Sequence, residues 1–385
     1  MGEGEVRNHG AKVGHARYVG HCVGQAVGDW PGVGVAPPVA PGVVSAAPHA
    51  LATIAAAMTA ATTRALRIFG SMPLPPLVGR LGRSSGVYDA GELPGVAGPA
   101  QTGFGRCYSP AVERYVQVPG GRIFARSEGE GPPIVLMHAA IVDLRSWDAM
   151  VPGLVAAGYR VVRYDYRAFG RSTTEDVEFS NRADLLAVMD AFDIGRAALV
   201  GNSRGGSIAI DTAIESPQRV AAVVGLGAAL GGFDGEDTAE EKAVFAEAER
   251  LESAAVPDID ALVDMEVRVW VDGIGRPAGR VDAAIREAVR TMDRALLEPG
   301  LVRGRPTRLD PPANDRLADL ACPVLAVAGE LDLSAMVQIA RRIEAGAPNA
   351  RAAIWPDVAH MIGMEAPDRL NALLVAFLAP LRPWE

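Results

Sequence analysis

The sequence predicts an α/β fold: a mostly parallel, eight-stranded sheet flanked by helices and interrupted by one helical insertion. Three observations carry this. Short apolar runs recur from residue 112 onward with helix-period segments between most of them, the pattern of parallel strands covered on both faces. An opening pair of runs, 114–118 and 122–127, is split by Pro119-Gly120-Gly121 and reads as a hairpin. The apolar run 197–200 breaks into Gly201-Asn202-Ser203-Arg204-Gly205-Gly206 and continues as a helical segment, so one serine is presented on a sharp strand-to-helix turn. In such a turn Gly201 and Gly205 are needed because a Cβ would clash with the crossing strand and helix.

After the hairpin, strands are expected at 134–137, 160–164, 197–200, 220–226, 324–328 and 352–355. Those six and the hairpin make eight. Helices are expected at 146–157, 182–192, 206–215, 335–345 and 368–378. The interval from about 231 to 313 breaks the rhythm. It is charged, helical in period at 238–253, 258–271 and 282–297, and holds no recognisable strand, so it reads as an all-helical insertion beside the sheet. Its Phe233, Phe245, Met265, Trp270 and Met292 are available to line an apolar pocket or, for most of them, to pack one inserted helix on another.

Residues 1–108 differ in kind. They are rich in Gly, Ala, Val and Pro, as in Pro73-Leu74-Pro75-Pro76, with too few large apolar side chains to offset the entropy of ordering them. They are expected to form a low-complexity, disordered extension, leaving 109–385 as the folded domain. Segment 43–68 is alanine-rich enough for a helix, but its small side chains and closing Arg64 and Arg67 make it a poor membrane span. Glu3, Glu5, His9 and Asp29 do not suit a secretory signal, and the expected location is the cytoplasm. Translation from an internal methionine such as Met72 is a further reading, decided by intact mass.

Composition narrows the function classes. A net charge of −9 with a pI near 5.3 offers no basic footprint for nucleic acid. The cysteines Cys22, Cys107 and Cys322 are too far apart and too few for a disulfide framework or a zinc site, and Cys322 reads as a core thiol. No phosphate loop, dinucleotide fingerprint or metal cluster is present, so no cofactor is expected. The expected partner is a small-molecule substrate, and a homo-oligomer is compatible with the sequence.

A serine hydroxyl is a poor nucleophile at neutral pH and needs a base, which in turn needs a group to hold its tautomer. Beyond residue 108 the chain has two histidines, His138 and His360. His360 follows the last strand. His138 ends the strand 134–137, where bracing its loop by hydrogen bonds suits it better than moving protons. Candidate acids sit in Gly329-Glu330-Leu331-Asp332, after the strand 324–328. In a parallel sheet the carboxyl ends of the strands share one edge, so Ser203, Asp332 and His360 would converge there. Asp332 could instead cap the following helix, and Glu330 is the alternative acid.

The region from about 112 to 381 resembles the α/β-hydrolase superfamily, specifically its serine esterase-like members with a helical cap. The resemblance rests on the elbow Gly201-Asn202-Ser203-Arg204-Gly205-Gly206, on Tyr164-Asp165-Tyr166-Arg167-Ala168-Phe169-Gly170-Arg171-Ser172, which looks like the family's D-x-R-G-x-G-x-S turn, and on segments 323–332 and 356–360. It implies Ser203 as nucleophile, His360 as general base and then acid, and Asp332 as the residue orienting the imidazole. It also implies an oxyanion hole from the backbone N–H groups of Arg204 and Ala140, with 231–313 as the cap. Two positions depart from the pattern. His138-Ala139 stands where the family has His-Gly, and alanine would be strained there if that turn needs positive φ; Ala168 likewise replaces a glycine. The implied activity is hydrolysis of a small carboxylic ester or lactone through an acyl-enzyme. Segment 143–148 is reminiscent of enol-lactone hydrolases of aromatic catabolism. Cleavage of a carbon–carbon bond, cofactor-free haloperoxidase-like perhydrolysis and a hydrolase-fold ligand-binding protein are the alternatives. Relatives with an aspartate nucleophile, the haloalkane dehalogenases and epoxide hydrolases, are disfavoured by Ser203.

Overall fold

The computed structural model describes residues 111–384. The expected extension 1–108, the alanine-rich segment 43–68, Met72, Cys22 and Cys107 lie outside the described residues. Cys322 is buried, as a core thiol should be.

The chain opens with the antiparallel hairpin β1 (Val112–Val118) and β2 (Gly121–Glu128). β3 (Pro133–Met137) and β4 (Arg160–Tyr164) follow, separated by a 3-10 turn, Leu144–Trp147, and a short helix, α1 (Val151–Ala156). A single helix over 146–157 is therefore not what forms. Pro152 in the first turn of α1 has no N–H to extend the hydrogen-bonded ladder backwards, so the helix begins afresh there. Next come the two-residue strands β5 (Thr173–Thr174) and β6 (Glu178–Phe179), α2 (Asn181–Ala191), β7 (Ala197–Asn202), α3 (Arg204–Glu215) and β8 (Val220–Leu226).

Three helices are inserted after β8: α4 (Ala239–Glu252), α5 (Ile259–Val267), continued by a π-helical turn Arg268–Asp272, and α6 (Ala283–Leu296). Each starts on a side-chain cap. Thr238 and Glu241 form a reciprocal capping box on α4, and Asp258 and Asp282 cap the other two. The expectation of no strand in this interval needs correction, because β9 (Arg305–Pro306) pairs in parallel with β6. Two residues are too few to leave a periodic signal. The chain then closes with β10 (Val324–Gly329), α7 (Ser334–Gly346), β11 (Ala350–Trp355), α8 (Ile362–Glu365) and α9 (Pro367–Leu378).

All eight expected strands form one path, β1-β2-β4-β3-β7-β8-β10-β11, and β5 adds a ninth, short strand against β2. From β4 to β11 every neighbour is parallel. Side chains alternate between two cores, as a strand's two-residue period requires: Val135 and Met137 join Leu199, Ile208 and Ile339 on one face, while Ile134 and Leu136 join Val200, Trp147 and Leu374 on the other. The carboxyl ends of β7, β8, β10 and β11 share one edge. Among the described residues, no helix is long and apolar enough to cross a membrane.

Candidate active site

The serine is positioned by backbone crowding. Ser203 has φ 54° and ψ −115°, a conformation that costs a non-glycine residue on the order of 1–3 kcal/mol and persists only where the surroundings hold it. Its N–H donates to the Leu226 carbonyl at 2.8 Å, and its own carbonyl accepts from Ala229 at 3.2 Å, so the turn is bolted to the end of β8. A Cβ on Gly201 would lie 2.1 Å from the Gly205 carbonyl carbon, and one on Gly205 would lie 2.3 Å from the Met137 carbonyl oxygen. The glycines are required for close approach rather than for unusual φ.

Asp332 and His360 meet at this same edge. The imidazole Nδ1 lies 2.8 Å from Asp332 Oδ2, with both side chains essentially fully buried. The other carboxylate oxygen accepts the Leu333 N–H at 2.8 Å. A carboxylate facing Nδ1 fixes the proton on that nitrogen and leaves Nε2 as the basic atom. Gly227 makes room for the pair, since a Cβ there would be 2.8 Å from Asp332 Oδ2 and 2.9 Å from His360 Nδ1. Glu330, the alternative acid, is exposed, and its backbone N–H pairs with the Trp355 carbonyl. The start of α7 is satisfied by neither Asp332 nor Ser334: Glu241 reaches across from α4 and accepts from the Ser334 N–H and hydroxyl at 2.5 and 2.7 Å.

The strand-end loop of β3 is buried. The Tyr166 N–H donates to His138 Nε2 at 3.3 Å, which places the proton on Nδ1, and that N–H donates to the Ala139 carbonyl at 2.7 Å. The tyrosine hydroxyl donates to the His138 carbonyl. Burial lowers the His138 pKa to about 4, so the ring is neutral and serves as a brace. Ala139 does not adopt positive φ, whereas Ala168 does, at 65°. The His-Ala departure therefore strains nothing, while the second departure carries an αL cost of about 1–2 kcal/mol. Ala140 is buried just beyond, and Arg204 opens α3. Asp143 caps the 3-10 turn and pairs with Arg145 at 2.6 Å, a local structural role for the segment 143–148.

Several residues around the pair gave no separate sequence signal. Asn202 donates from Nδ2 to the Leu226 carbonyl at 2.9 Å and the His360 carbonyl at 3.2 Å, tying the histidine loop to the elbow. Arg280, from the insertion, donates to the carbonyls of Val271, Asp272 and Asp357 and pairs with Glu365, whose Oε2 accepts the Ala359 N–H. Asn202 could have been noticed as the polar residue inside the elbow, but Arg280 has no motif around it. Trp270, in the π-helical turn, lies with its ring centroid 4.5 Å from that of His360. Met265 and Met292 are buried in the core, and Phe233 and Phe245 pack on it. Among the described residues, no group of three His, Cys, Asp or Glu is placed to hold a metal ion.

A model of the alpha/beta hydrolase fold matches residues 132–259. The dihydrolipoyllysine-residue acetyltransferase component of the acetoin cleaving system of Pseudomonas putida is 30% identical over 299 residues, covering 72% of each chain. This chain belongs to the α/β-hydrolase superfamily. The hydrolase is also 25% identical over 292 residues to the 2-hydroxy-6-oxononadienedioate/2-hydroxy-6-oxononatrienedioate hydrolase of Paraburkholderia xenovorans, covering 70% of this chain and 96% of that one. Among solved structures, an N-acyl homoserine lactone degrading enzyme superposes with a TM-score of 0.53 at 26% identity, over 69% of this chain and all of the other.

Beneath Trp270 the hydrolase buries two carboxyls. The indole Nε1–H donates to Glu266 Oε2, while Glu266 Oε1 and both oxygens of Asp293 have no partner among the described residues. Burial pushes the Glu266 pKa up to about 8, with the nearby Glu252 adding to the shift and the Trp270 hydrogen bond opposing it. Burial and then the Glu266 charge raise Asp293, with Arg303 opposing. The native state therefore keeps a proton on Glu266 between its unfolded pKa near 4.5 and its folded pKa near 8, while the unfolded chain releases it. Stability is expected to fall as pH rises through that window, by at most about 5 kcal/mol from this group. Urea unfolding between pH 5 and 8.5 reads this. Glu266→Gln, which retains the acceptor and cannot ionise, should make the fall shallower, with buried Asp293 still contributing; a wild type equally stable at both ends would refute the account.

Proposed function

We propose that the hydrolase cleaves a small carboxylic ester or lactone through an acyl-enzyme, with Ser203 as nucleophile, His360 as general base and Asp332 as the residue that orients it. The observation that supports this most is the 2.8 Å contact of His360 Nδ1 with a buried Asp332 at the sheet edge where the strained Ser203 turn lies. Ser203 Oγ attacks the carbonyl carbon as its proton passes to His360 Nε2, and the electron pair of the carbonyl moves onto oxygen. Asp332 stabilises the imidazolium so formed. The oxyanion is assigned to the N–H groups of Arg204 and Ala140, each such donor contributing about 3–4 kcal/mol to barrier lowering. The intermediate collapses as the imidazolium protonates the leaving alcohol. Water, deprotonated by the same histidine, then attacks the acyl-serine, releasing the acid and restoring the hydroxyl.

In this reading the three inserted helices act as a cap, bringing Trp270 over the histidine. Hydrolysis of a carbon–carbon bond next to a ketone would use the same groups, and the similarity to the Paraburkholderia enzyme over nearly its whole length favours it as the second reading. The test is a fluorophosphonate probe with peptide mapping, alongside turnover of p-nitrophenyl acetate and butyrate. Labelling at Ser203 with measurable turnover is expected; a folded protein that neither labels nor turns over would refute the proposal.

A further inference from the structure

Arg204 sits one residue from Ser203 and, among the described residues, no carboxylate lies within salt-bridge distance of it, although Asp310 and Arg308 line the same cavity. A cavity of about 400 Å³ runs along α3, with Arg204 among its lining residues. Arg204, Ser207, Ile208 and Asp211 line it at positions i, i+3, i+4 and i+7, one continuous helix face. The opposite wall comes from the start of α2, from the Gly231-Gly232 turn and from segment 306–313.

The charges along this wall are not equivalent. Arg182 is neutralised, donating to Glu215 at 2.5 Å and lying 4.0 Å from Asp211. Asp211 is largely protected from solvent, its Oδ1 has no partner among the described residues, and burial raises its pKa to about 7. Its carboxyl is therefore only partly ionised near neutral pH. Arg204 differs: its buried Nε has no hydrogen-bond partner among the described residues, and its guanidinium lies 5.3 Å from the Phe169 ring centroid. Phe169 in turn packs against His138, and the Arg204 charge contributes to holding the His138 pKa down. One cation thus both approaches Phe169, which packs on the loop after β3, and lines the cavity. A partly buried guanidinium whose Nε–H lacks an acceptor can offer a planar anion two parallel N–H bonds, which a carboxylate accepts.

We propose that the cavity along α3 is a subsite for a carboxylate carried on the acyl part of the substrate, with Arg204 as its anchor. The inference rests on the reading of Ser203 as nucleophile and deepens it: the substrate is an anionic ester, lactone or ketone whose free carboxylate lies a short carbon chain away from the carbonyl under attack. The leaving group then occupies the side of Trp270.

The experiment compares mono-p-nitrophenyl glutarate with p-nitrophenyl valerate, which match in chain length and leaving group and differ in the terminal charge. The wild type should favour the glutarate ester at least tenfold in kcat/KM. Arg204→Met should erase that ratio, chiefly through KM, and Arg204→Lys should restore part of it. In parallel, glutarate binding to the Ser203→Ala protein is measured by calorimetry; it should weaken at least tenfold on adding Arg204→Met. Equal kcat/KM for the two esters in the wild type, a ratio unchanged in Arg204→Met, or sulfate competing as well as glutarate each overturns the carboxylate subsite. Absence of turnover for both esters with glutarate binding intact would instead count against the nucleophile and leave the subsite supported.

Discussion

Ser203→Ala is expected to lower kcat/KM toward p-nitrophenyl butyrate by about 10⁴-fold or more, because the proposed mechanism has no other nucleophile to form the acyl-enzyme and would keep only binding and oxyanion stabilisation. Its fold should be unaffected. The backbone at this residue sits at φ 54° and ψ −115°, which alanine tolerates no better than serine, so Ser203→Ala retains the local strain. Ser203→Gly does not, because without a Cβ the conformation is readily adopted. Glycine should therefore be equally inactive yet about 1 kcal/mol more stable than alanine, even after its greater unfolded-state freedom is counted. Urea denaturation of the three proteins separates the terms. Residual turnover in both variants above about a hundredth of wild type would place the nucleophile elsewhere. Equal stability of the alanine and glycine variants would show that the turn stores no strain.

Much of the fold was legible because its signals are collective. Six parallel strands, five of them buried, produce apolar runs such as Ile134 to Met137, whose alternate residues enter opposite cores, and no loop imitates that pattern repeatedly in one chain. Features of two residues left no such trace: the pairing of β6 with β9 and of β5 with β2 depends on where distant segments come to lie. The break in 146–157 was readable in principle from Pro152. At the site, Ser203, Asp332 and His360 stood out because their residue types are chemically unusual at strand ends. The groups that hold them are ordinary residues in unremarkable surroundings. Gly227 matters because its φ is 48° and two side chains pass within 3 Å of its missing Cβ, Arg280 because three carbonyls and Glu365 converge on its guanidinium, and Glu241 because it crosses from α4 to the start of α7. Such contacts are set by tertiary approach, not by local pattern.

Asp332→Asn is expected to reduce kcat by about 10³- to 10⁴-fold toward the same ester, and Glu330→Gln to change it less than about threefold. The amide is nearly isosteric, so packing around Gly227 should survive. What changes is the proton. The carboxylate accepts from His360 Nδ1 at 2.8 Å and from the Leu333 N–H at 2.8 Å. Asparagine satisfying Leu333 with its carbonyl oxygen turns its NH₂ toward the imidazole, which then accepts at Nδ1 and carries its proton on Nε2, the wrong tautomer to take one from Ser203. Turning the amide the other way leaves the buried Leu333 N–H facing a donor, at a cost of about 1–3 kcal/mol. Loss of the buried negative charge also removes the stabilisation of the imidazolium formed as the serine attacks. Because attack needs the neutral, Nδ1-protonated ring, raising the pH should not restore the rate, and labelling by the fluorophosphonate probe should slow in parallel. Glu330 is exposed and outside this chain of contacts, so its amide should matter little. A large loss in Glu330→Gln with near-normal turnover in Asp332→Asn would reassign the acid, and with it the reading of the buried pair as catalytic.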